Sequence, residues 1–502
     1  MTASTENRFG GMLKSSLLLA AASVINVVLG AIRTKFLAVQ LGPELFGVMG
    51  LYTTLMQMIQ SIASLGLNQS AIREIAAAAG SKDSSRIARC VRAYQRIVLV
   101  TGCIGMVLTL CAAYPASLLT FHNRHHTWTI ATLSIVVFFS QIQAGQNVLF
   151  QGLRRIGDLA AISISSGILS TMMAIPIALY FKQDSIVPFL LAASVGQVLA
   201  TWWYARRVQV QTMAVSWRET WELSRSMLKL GLAFVVSGIA TTVSAYAIRL
   251  TINDSLGEAA VGLYQSAFTI SGIYIGFILQ AMGSDYYPRL AGISDDDRAS
   301  QNQLVNEQTI MALYLAVPGL ISALVLSDVL IWTMYSSRFA GASGILRWQV
   351  LGLLGRIISW PMGFILLARS DSKLVLLTEI STAIVHVCLV WICVTYFGFD
   401  GAGIAYAVLY LYYLTLIYWV VHFRHGYAYS ASTRATIWMS MLAVGLSFAA
   451  TFIPIASWRI CVGMLLMIVF SFYCFQQLLS LIPEIRPAIW WKKICHTLLL
   501  RN

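Results

Sequence analysis

Charged side chains are scarce in this chain: they make up 11% of its 502 residues, against about 25% in a soluble domain. A chain so long and so poor in charge does not fold around one water-soluble core, because single cores stop growing beyond ~250–300 residues. Acid is scarcer than base, with 20 Asp and Glu against 34 Lys and Arg. The eight cysteines include no C-x-x-C pair. Most lie in apolar runs and read as small hydrophobes, not as disulfide, redox or metal residues. G-x-x-x-x-G-K-[ST], H-E-x-x-H and G-x-S-x-G are all absent, which excludes the chemistries that depend on those motifs. Asp295-Asp296-Asp297 sits beside Arg298 and reads as a solvated charge run. No metal and no cofactor is expected. Every outer loop is short, the longest running from about Phe121 to Trp128, so there is no extramembrane platform for catalytic carboxylates and enzymatic activity is not expected.

What the chain does have is apolar length. It is 58% hydrophobic and its mean hydropathy is +0.74. About 20 apolar residues cross a ~30 Å hydrocarbon core as a helix, and hydropathy with its punctuation predicts about fourteen spans. They lie near 13–39, 45–66, 96–119, 128–150, 159–181, 186–204, 228–251, 259–284, 308–333, 341–368, 374–396, 400–421, 435–453 and 458–481. A β-barrel would instead alternate in segments of about ten residues. The expected class is an all-α polytopic membrane protein. The apolar run from Ser15 continues through Arg33 to Gln40 without a cleavage signal, so it reads as a retained first span.

The net charge of +14 invites a nucleic-acid reading, but its distribution is that of an orientation signal. With the N-terminus inside, 25 of the 34 basic residues fall on inner segments and 4 on outer loops (Arg124, Lys182, Arg338 and Arg459). Both termini are therefore expected in the cytoplasm, with no nucleic-acid partner. The inner stretches 67–95, 205–227 and 289–307 read as interfacial linkers. A faint repeat relates Leu41-Gly42-Pro43-Glu44-Leu45-Phe46-Gly47 to Leu256-Gly257-Glu258-Ala259-Ala260-Val261-Gly262 at an offset of 215 residues. Six spans separate the copies, an even number, so two parallel halves are expected.

Five basic residues remain within spans: Arg33, Lys35, Arg249, Arg347 and Arg356. An intramembrane arginine cannot shed its charge and costs roughly 2.5–3.5 kcal/mol on insertion scales, so it marks function by default. Arg356 is deepest. Gln349, Gly352, Arg356 and Gly363 share one helical face, expected to line a cationic cavity of a transporter. Arg33 shares a face with Asn26 and Gly30, and Arg249 shares one with Thr242 and Tyr246. For Lys35, Arg249 and Arg347, snorkelling to the headgroups is an equal alternative. Gln143, Asn147 and Gln151 fall on one face of the fourth span, suited to a hydroxyl-rich ligand or to interhelical bonding. Glu379 and His386, on one face of the eleventh span, are either a proton-coupling pair or part of an ion pair in which Arg356 or Arg369 neutralises Glu379.

Several motifs carry a family resemblance: Trp348-Gln349-Val350-x-Gly352 with Arg356, then Ala368-Arg369 and Glu379; Gly66-Leu67-Asn68-Gln69-Ser70-Ala71-Ile72-Arg73; Gly262-Leu263-Tyr264-Gln265-Ser266; and Arg338-Phe339. In these and in its span spacing the chain resembles the Wzx-type flippases of O-antigen and exopolysaccharide repeat units, within the multidrug/oligosaccharidyl-lipid/polysaccharide exporter superfamily. Leu353 departs from the pattern, since relatives often carry Asp there. The resemblance implies two six-helix bundles (1–207 and 228–422, joined by an amphipathic linker at 208–227) forming a V around a central cavity. Two further helices (435–481) and a cytoplasmic tail (482–502) would follow. It implies a bacterial inner membrane and alternating-access transfer of an undecaprenyl-pyrophosphate-linked oligosaccharide to the periplasmic leaflet. Arg33 and Arg356 are expected to meet the pyrophosphate, with Arg249, Arg347, Asn26 and Gln349 as further substrate-binding residues and Glu379 and His386 as ion-coupling residues. A polysaccharide polymerase and a chain-length regulator are implied partners. An H⁺- or Na⁺-coupled multidrug exporter, a lipid II-type flippase and a non-transporting scaffold remain open alternatives.

Overall fold

A computed structural model describes residues 2–80, 83–208, 215–294 and 296–481, with side chains described outside 2–20, 226, 229–234, 277, 280–285, 456 and 481. The expected tail at 482–502, part of the linker at 208–227, and Asp295 and Cys495 lie outside the described residues. Fifteen α-helices follow in order: α1 (Thr2–Ser64), α2 (Leu67–Gly80), α3 (Ser84–Phe121), α4 (Thr127–Gly152), α5 (Ile156–Phe181), α6 (Ile186–Ala205), α7 (Trp217–Leu256), α8 (Glu258–Ala291), α9 (Arg298–Val325), α10 (Ser327–Met334), α11 (Ala342–Ala368), α12 (Ser372–Phe397), α13 (Gly401–His425), α14 (Ala431–Ala450) and α15 (Ala456–Leu481). No strand occurs among the described residues. The protein is an all-α, multi-pass membrane protein.

Nine described segments are long and apolar enough to cross a membrane. Three of them, Ala21–Ser64, Ile156–Ala205 and Ser372–His425, have 44, 50 and 54 residues, about twice the ~20 needed for one crossing. Each holds two helical stretches: α1 on either side of a kink at Gly42, α5 with α6, and α12 with α13. The helices α8 and α14 coincide with the expected eighth and thirteenth spans but are not among the nine.

Local chemistry sets the helix ends. The Asp83 carboxylate accepts from the backbone N–H of Ser85 (2.9 Å) and Arg86 (3.2 Å) at the start of α3. Ser216 and Glu219 form a capping box on α7, satisfying N–H groups that the first turn leaves without partners. Asp297 accepts from the Ser300 N–H at 3.0 Å, so the last member of the acidic run caps α9. The backbone N–H and then the side chain of Ser300 hold its carboxyl below the usual carboxylate range.

The repeat is visible in the backbone. Gly42 has φ 74° and ψ 179°, and Gly257, its counterpart, has φ 84° and ψ 173°. Residues other than glycine are strained in that region. Five residues on, the two copies meet. A Cβ on Gly47 would lie 2.0 Å from the Glu258 carbonyl oxygen, and one on Gly262 would lie 1.9 Å from that of Pro43. Each copy thus admits the other's backbone, a small-residue crossing of the kind that lets membrane helices approach closely.

By packing, the chain divides into two compact units: Met1–Leu263 with Thr333–Arg338, and Tyr264–Trp332 with Phe339–Asn502. In the first, α3 packs on α4, α5 on α6, and α1 on α5. The helix α7, which the sequence places at the start of the second bundle, packs on α1, α2 and α3. In the second unit α11 lies against α13 and α9, α12 against α13, and both α14 and α15 against α9.

Candidate functional site

The first unit holds a polar cleft of about 340 Å³ built by α1, α4, α5 and α6. The α1 residues Asn26, Gly30 and Arg33 enter it together, as their helical spacing predicts, and Gln143, Asn147 and Gln151 of α4 face it as well. The opposite wall is a hydroxyl ladder, Ser163, Ser166, Ser170 and Thr171 of α5, with Gln197 of α6. Arg33 Nη1 donates to Ser170 Oγ at 3.0 Å. Asn26 Nδ2 donates to Ser163 Oγ at 2.7 Å and to the Ala22 carbonyl at 2.9 Å. Gly167 makes room for this contact, since a Cβ there would stand 2.4 Å from Asn26 Oδ1.

No carboxylate lines the cleft. The buried Asn147 Oδ1 and Ser166 Oγ have no hydrogen-bond partner in the protein. Such a group costs roughly 1–3 kcal/mol when unpaired, so the cleft favours a ligand rich in hydroxyls, with one fixed cation among the acceptors. The α5 serines were missed at the sequence level, although Ser163, Ser166 and Ser170 recur at i, i+3 and i+7.

The second unit resolves its arginine differently. Arg356 lies on α11 with its guanidinium carbon 5.9 Å from the Trp360 ring and 5.6 Å from the Tyr410 ring, and the Tyr406 ring stands 4.9 Å from that of Tyr410. A cation over an aromatic face gains about 0.5–2 kcal/mol without losing its charge. Among the described residues neither Arg33 nor Arg356 is ion-paired with a carboxylate. The cage residues Tyr406, Tyr410 and Tyr413 stand at i, i+4 and i+7 on α13, a signal the sequence held and the apolar texture of that span masked.

The rest of the Arg356 face is a packing seam. Gln349 is fully buried, and its Oε1 accepts from Ser271 Oγ of α8 at 3.1 Å. A Cβ on Gly352 would meet the Tyr406 ring at 2.6 Å and its carbonyl oxygen at 2.8 Å, so this glycine lets α11 and α13 touch. Arg347 is engaged by α10: its Nη2 donates to Asp328 Oδ2 and its Nε to Ser327 Oγ, both at 2.8 Å. Arg249 is 5% exposed, and its Nη1 donates to the Ala245 carbonyl of its own helix at 2.8 Å.

Of the two readings of Glu379, an ion pair with Arg356 or Arg369 does not occur among the described contacts. Arg369 is drawn away to Gln301 Oε1, with bonds of 2.8 and 2.6 Å from Nε and Nη2. Glu379 Oε2 is buried with no hydrogen-bond partner. The His386 ring lies 6.1 Å from that of Tyr406.

Against known proteins, the chain is 21% identical over 416 residues to the lipid III flippase of Escherichia coli (strain K12), covering 81% of this chain and 97% of that one. It is 22% identical over 393 residues to a Shigella flexneri protein named as an O-antigen transporter, covering 77% and 91%. Among solved structures, the lipid II flippase MurJ in an inward closed conformation superposes with a TM-score of 0.68 at 14% identity, over 92% of this chain and 100% of that one. An inward-facing MATE-family multidrug resistance transporter gives 0.67 at 14% identity, over 85% and 99%. At such identities these structures establish a shared fold. Residues 12–294 match the profile of the polysaccharide biosynthesis proteins, a region that ends before the Trp348-Gln349 motif on which the sequence resemblance chiefly rested. With that match spanning more than half of its 502 residues, the chain belongs to the polysaccharide biosynthesis protein family.

Proposed function

We propose that this protein is a flippase that carries a polyprenyl-pyrophosphate-linked oligosaccharide from the cytoplasmic to the outer leaflet of a bacterial inner membrane by alternating access, for surface-polysaccharide assembly. The observation that carries the reading is the pair of intramembrane guanidiniums, Arg33 and Arg356, each held without a carboxylate partner among the described residues. A diphosphate leaving water loses its hydration. A permanent cation offsets that loss, and a guanidinium fork matches phosphate oxygens two at a time. The amides and hydroxyls around Arg33 suit sugar hydroxyls, and the names of the curated relatives point the same way. Substrate is moved and no bond is broken, so the role is transport, not enzymatic catalysis.

Within this reading, Arg33 and Asn26 contact the substrate and Gln349 holds α11 in place. Glu379 and His386, beside the tyrosines that cage Arg356, supply ion coupling. Arg249 and Arg347 have a smaller share, because Asp328 already answers the charge of Arg347. Both termini are placed in the cytoplasm by this reading, which the distribution of basic residues supports, with a polymerase and chain-length regulator acting downstream. The test is a spheroplast assay that separates lipid-linked glycan by leaflet. Cells with the wild-type protein expose it at the outer leaflet, and cells with Arg33→Ala or Arg356→Ala retain it inside. Equal exposure in all three overturns the assignment.

A further inference from the structure

The basic end of the first unit carries a second kind of cavity, mostly apolar in its lining, that the transport reading does not use. A slot of about 340 Å³ lies between the ends of α3, α4 and α6, walled by Val98, Leu99, Ile142, Leu149 and Trp202, with Arg206 at its mouth. Leu99 also opens onto a groove of about 500 Å³ that runs along α3 from Arg96 to Leu108 under Trp217. The thirteen residues from Arg96 to Leu108 span ~18 Å of helix, close to half of a ~30 Å hydrocarbon core.

The cations at the rim are backed by aromatic rings and, among the described residues, ion-paired with no carboxylate. Arg206 is exposed, with its guanidinium carbon 3.9 Å from the Trp203 ring and 4.9 Å from the Trp202 ring. Among the described residues it is ion-paired with no carboxylate. Arg96 lies 5.2 Å from the Trp217 ring and donates to the Val215 carbonyl at 2.5 Å. No acidic residue lines either cavity. Deeper in the slot, Gln146 Oε1 is buried without a partner. The arrangement joins an apolar channel ~18 Å long to two aromatic-backed guanidiniums at its basic end.

We propose that this slot and groove bind an anionic phospholipid of the cytoplasmic leaflet, its acyl chain along α3 and its phosphodiester between Arg96 and Arg206. Charge complementarity selects an anionic head, and the depth suits a fatty acyl chain. A polyprenyl chain is far longer than half a bilayer. Aromatic rings behind the cations are the usual anchors of a membrane interface.

The test uses the full chain reconstituted in vesicles doped with photoactivatable phosphatidylglycerol or phosphatidylcholine, followed by peptide mapping of the label. Phosphatidylglycerol is expected to label residues 91–108 and 202–206 about five-fold more than phosphatidylcholine, the effect of one basic side chain against an anionic surface. Arg206→Gln removes that preference, whereas Arg207→Gln, a neighbouring cation outside the cavity lining, preserves it. Equal labelling by the two lipids, or a preference that survives Arg206→Gln, overturns the proposal. Displacement of the label by an equimolar polyprenyl pyrophosphate overturns it too and assigns the groove to a substrate tail.

Discussion

The cleft of the first unit and the tyrosine cage of the second each hold one buried-depth arginine and treat it in different ways. Arg33 is met by a serine hydroxyl among amides and other hydroxyls. Arg356 is met by the faces of Trp360 and Tyr410. Neither surrounding cancels the charge. Arg347, in the same helix as Arg356, shows what cancellation looks like, with Asp328 at 2.8 Å. The lesson is that an intramembrane arginine is not a site by virtue of its position. The partner decides, and neutral partners leave the cation available to an anionic ligand.

The largest effect is expected at Arg33. Arg33→Ala lowers the translocation rate by about thirty-fold or more, because truncating one side of a buried charged contact costs at least ~2 kcal/mol. Arg33→Lys, which keeps the charge and loses the fork, falls between it and wild type. In the cage, Tyr406→Phe removes a hydroxyl able to bond the Arg356 cation. Such bonds contribute about 1.5–3 kcal/mol, so transport measured in vesicles drops by roughly ten-fold while the rings still hold the guanidinium. If the aromatic faces alone suffice, Tyr406→Phe matches wild type and the contrast between the two regions sharpens to aromatic against hydroxyl. A smaller effect, on stability, is expected for Gly352→Leu, where the added side chain runs into Tyr406. Overpacking costs typically ~1–3 kcal/mol and lowers the thermal midpoint of the purified protein. The smallest effect is expected at Arg347. Its partner Asp328 is 54% exposed, such pairs contribute ~0–1 kcal/mol, and Arg347→Gln leaves transport within about five-fold of wild type.

The helices were largely legible in the sequence because lipid imposes length and apolarity on each crossing separately, without reference to neighbours. The repeat of Gly42 and Gly257 was legible in the sequence as a short motif, and the shared positive φ of the two glycines is what the structure adds. The Arg33 face was legible because Asn26, Gly30 and Arg33 lie on one helix, and helical spacing alone brings them together. What could not be read is what distant segments supply. Asp328, which engages Arg347, comes from another helix, and so does Ser271, the partner of Gln349. Gly352 was read as part of a cavity wall, yet its neighbour is Tyr406, 54 residues on. The tyrosines around Arg356 carried a helical period, but in so apolar a span they looked like packing.

The most direct test is the rate at which purified protein in vesicles moves a lipid-linked oligosaccharide, compared among wild type, the double variant Arg33→Gln/Arg356→Gln, and Arg347→Gln. The account predicts that the double variant is inactive while remaining folded and that Arg347→Gln transports nearly as wild type. Transport in the double variant equal to wild type, or loss confined to Arg347→Gln, would contradict it.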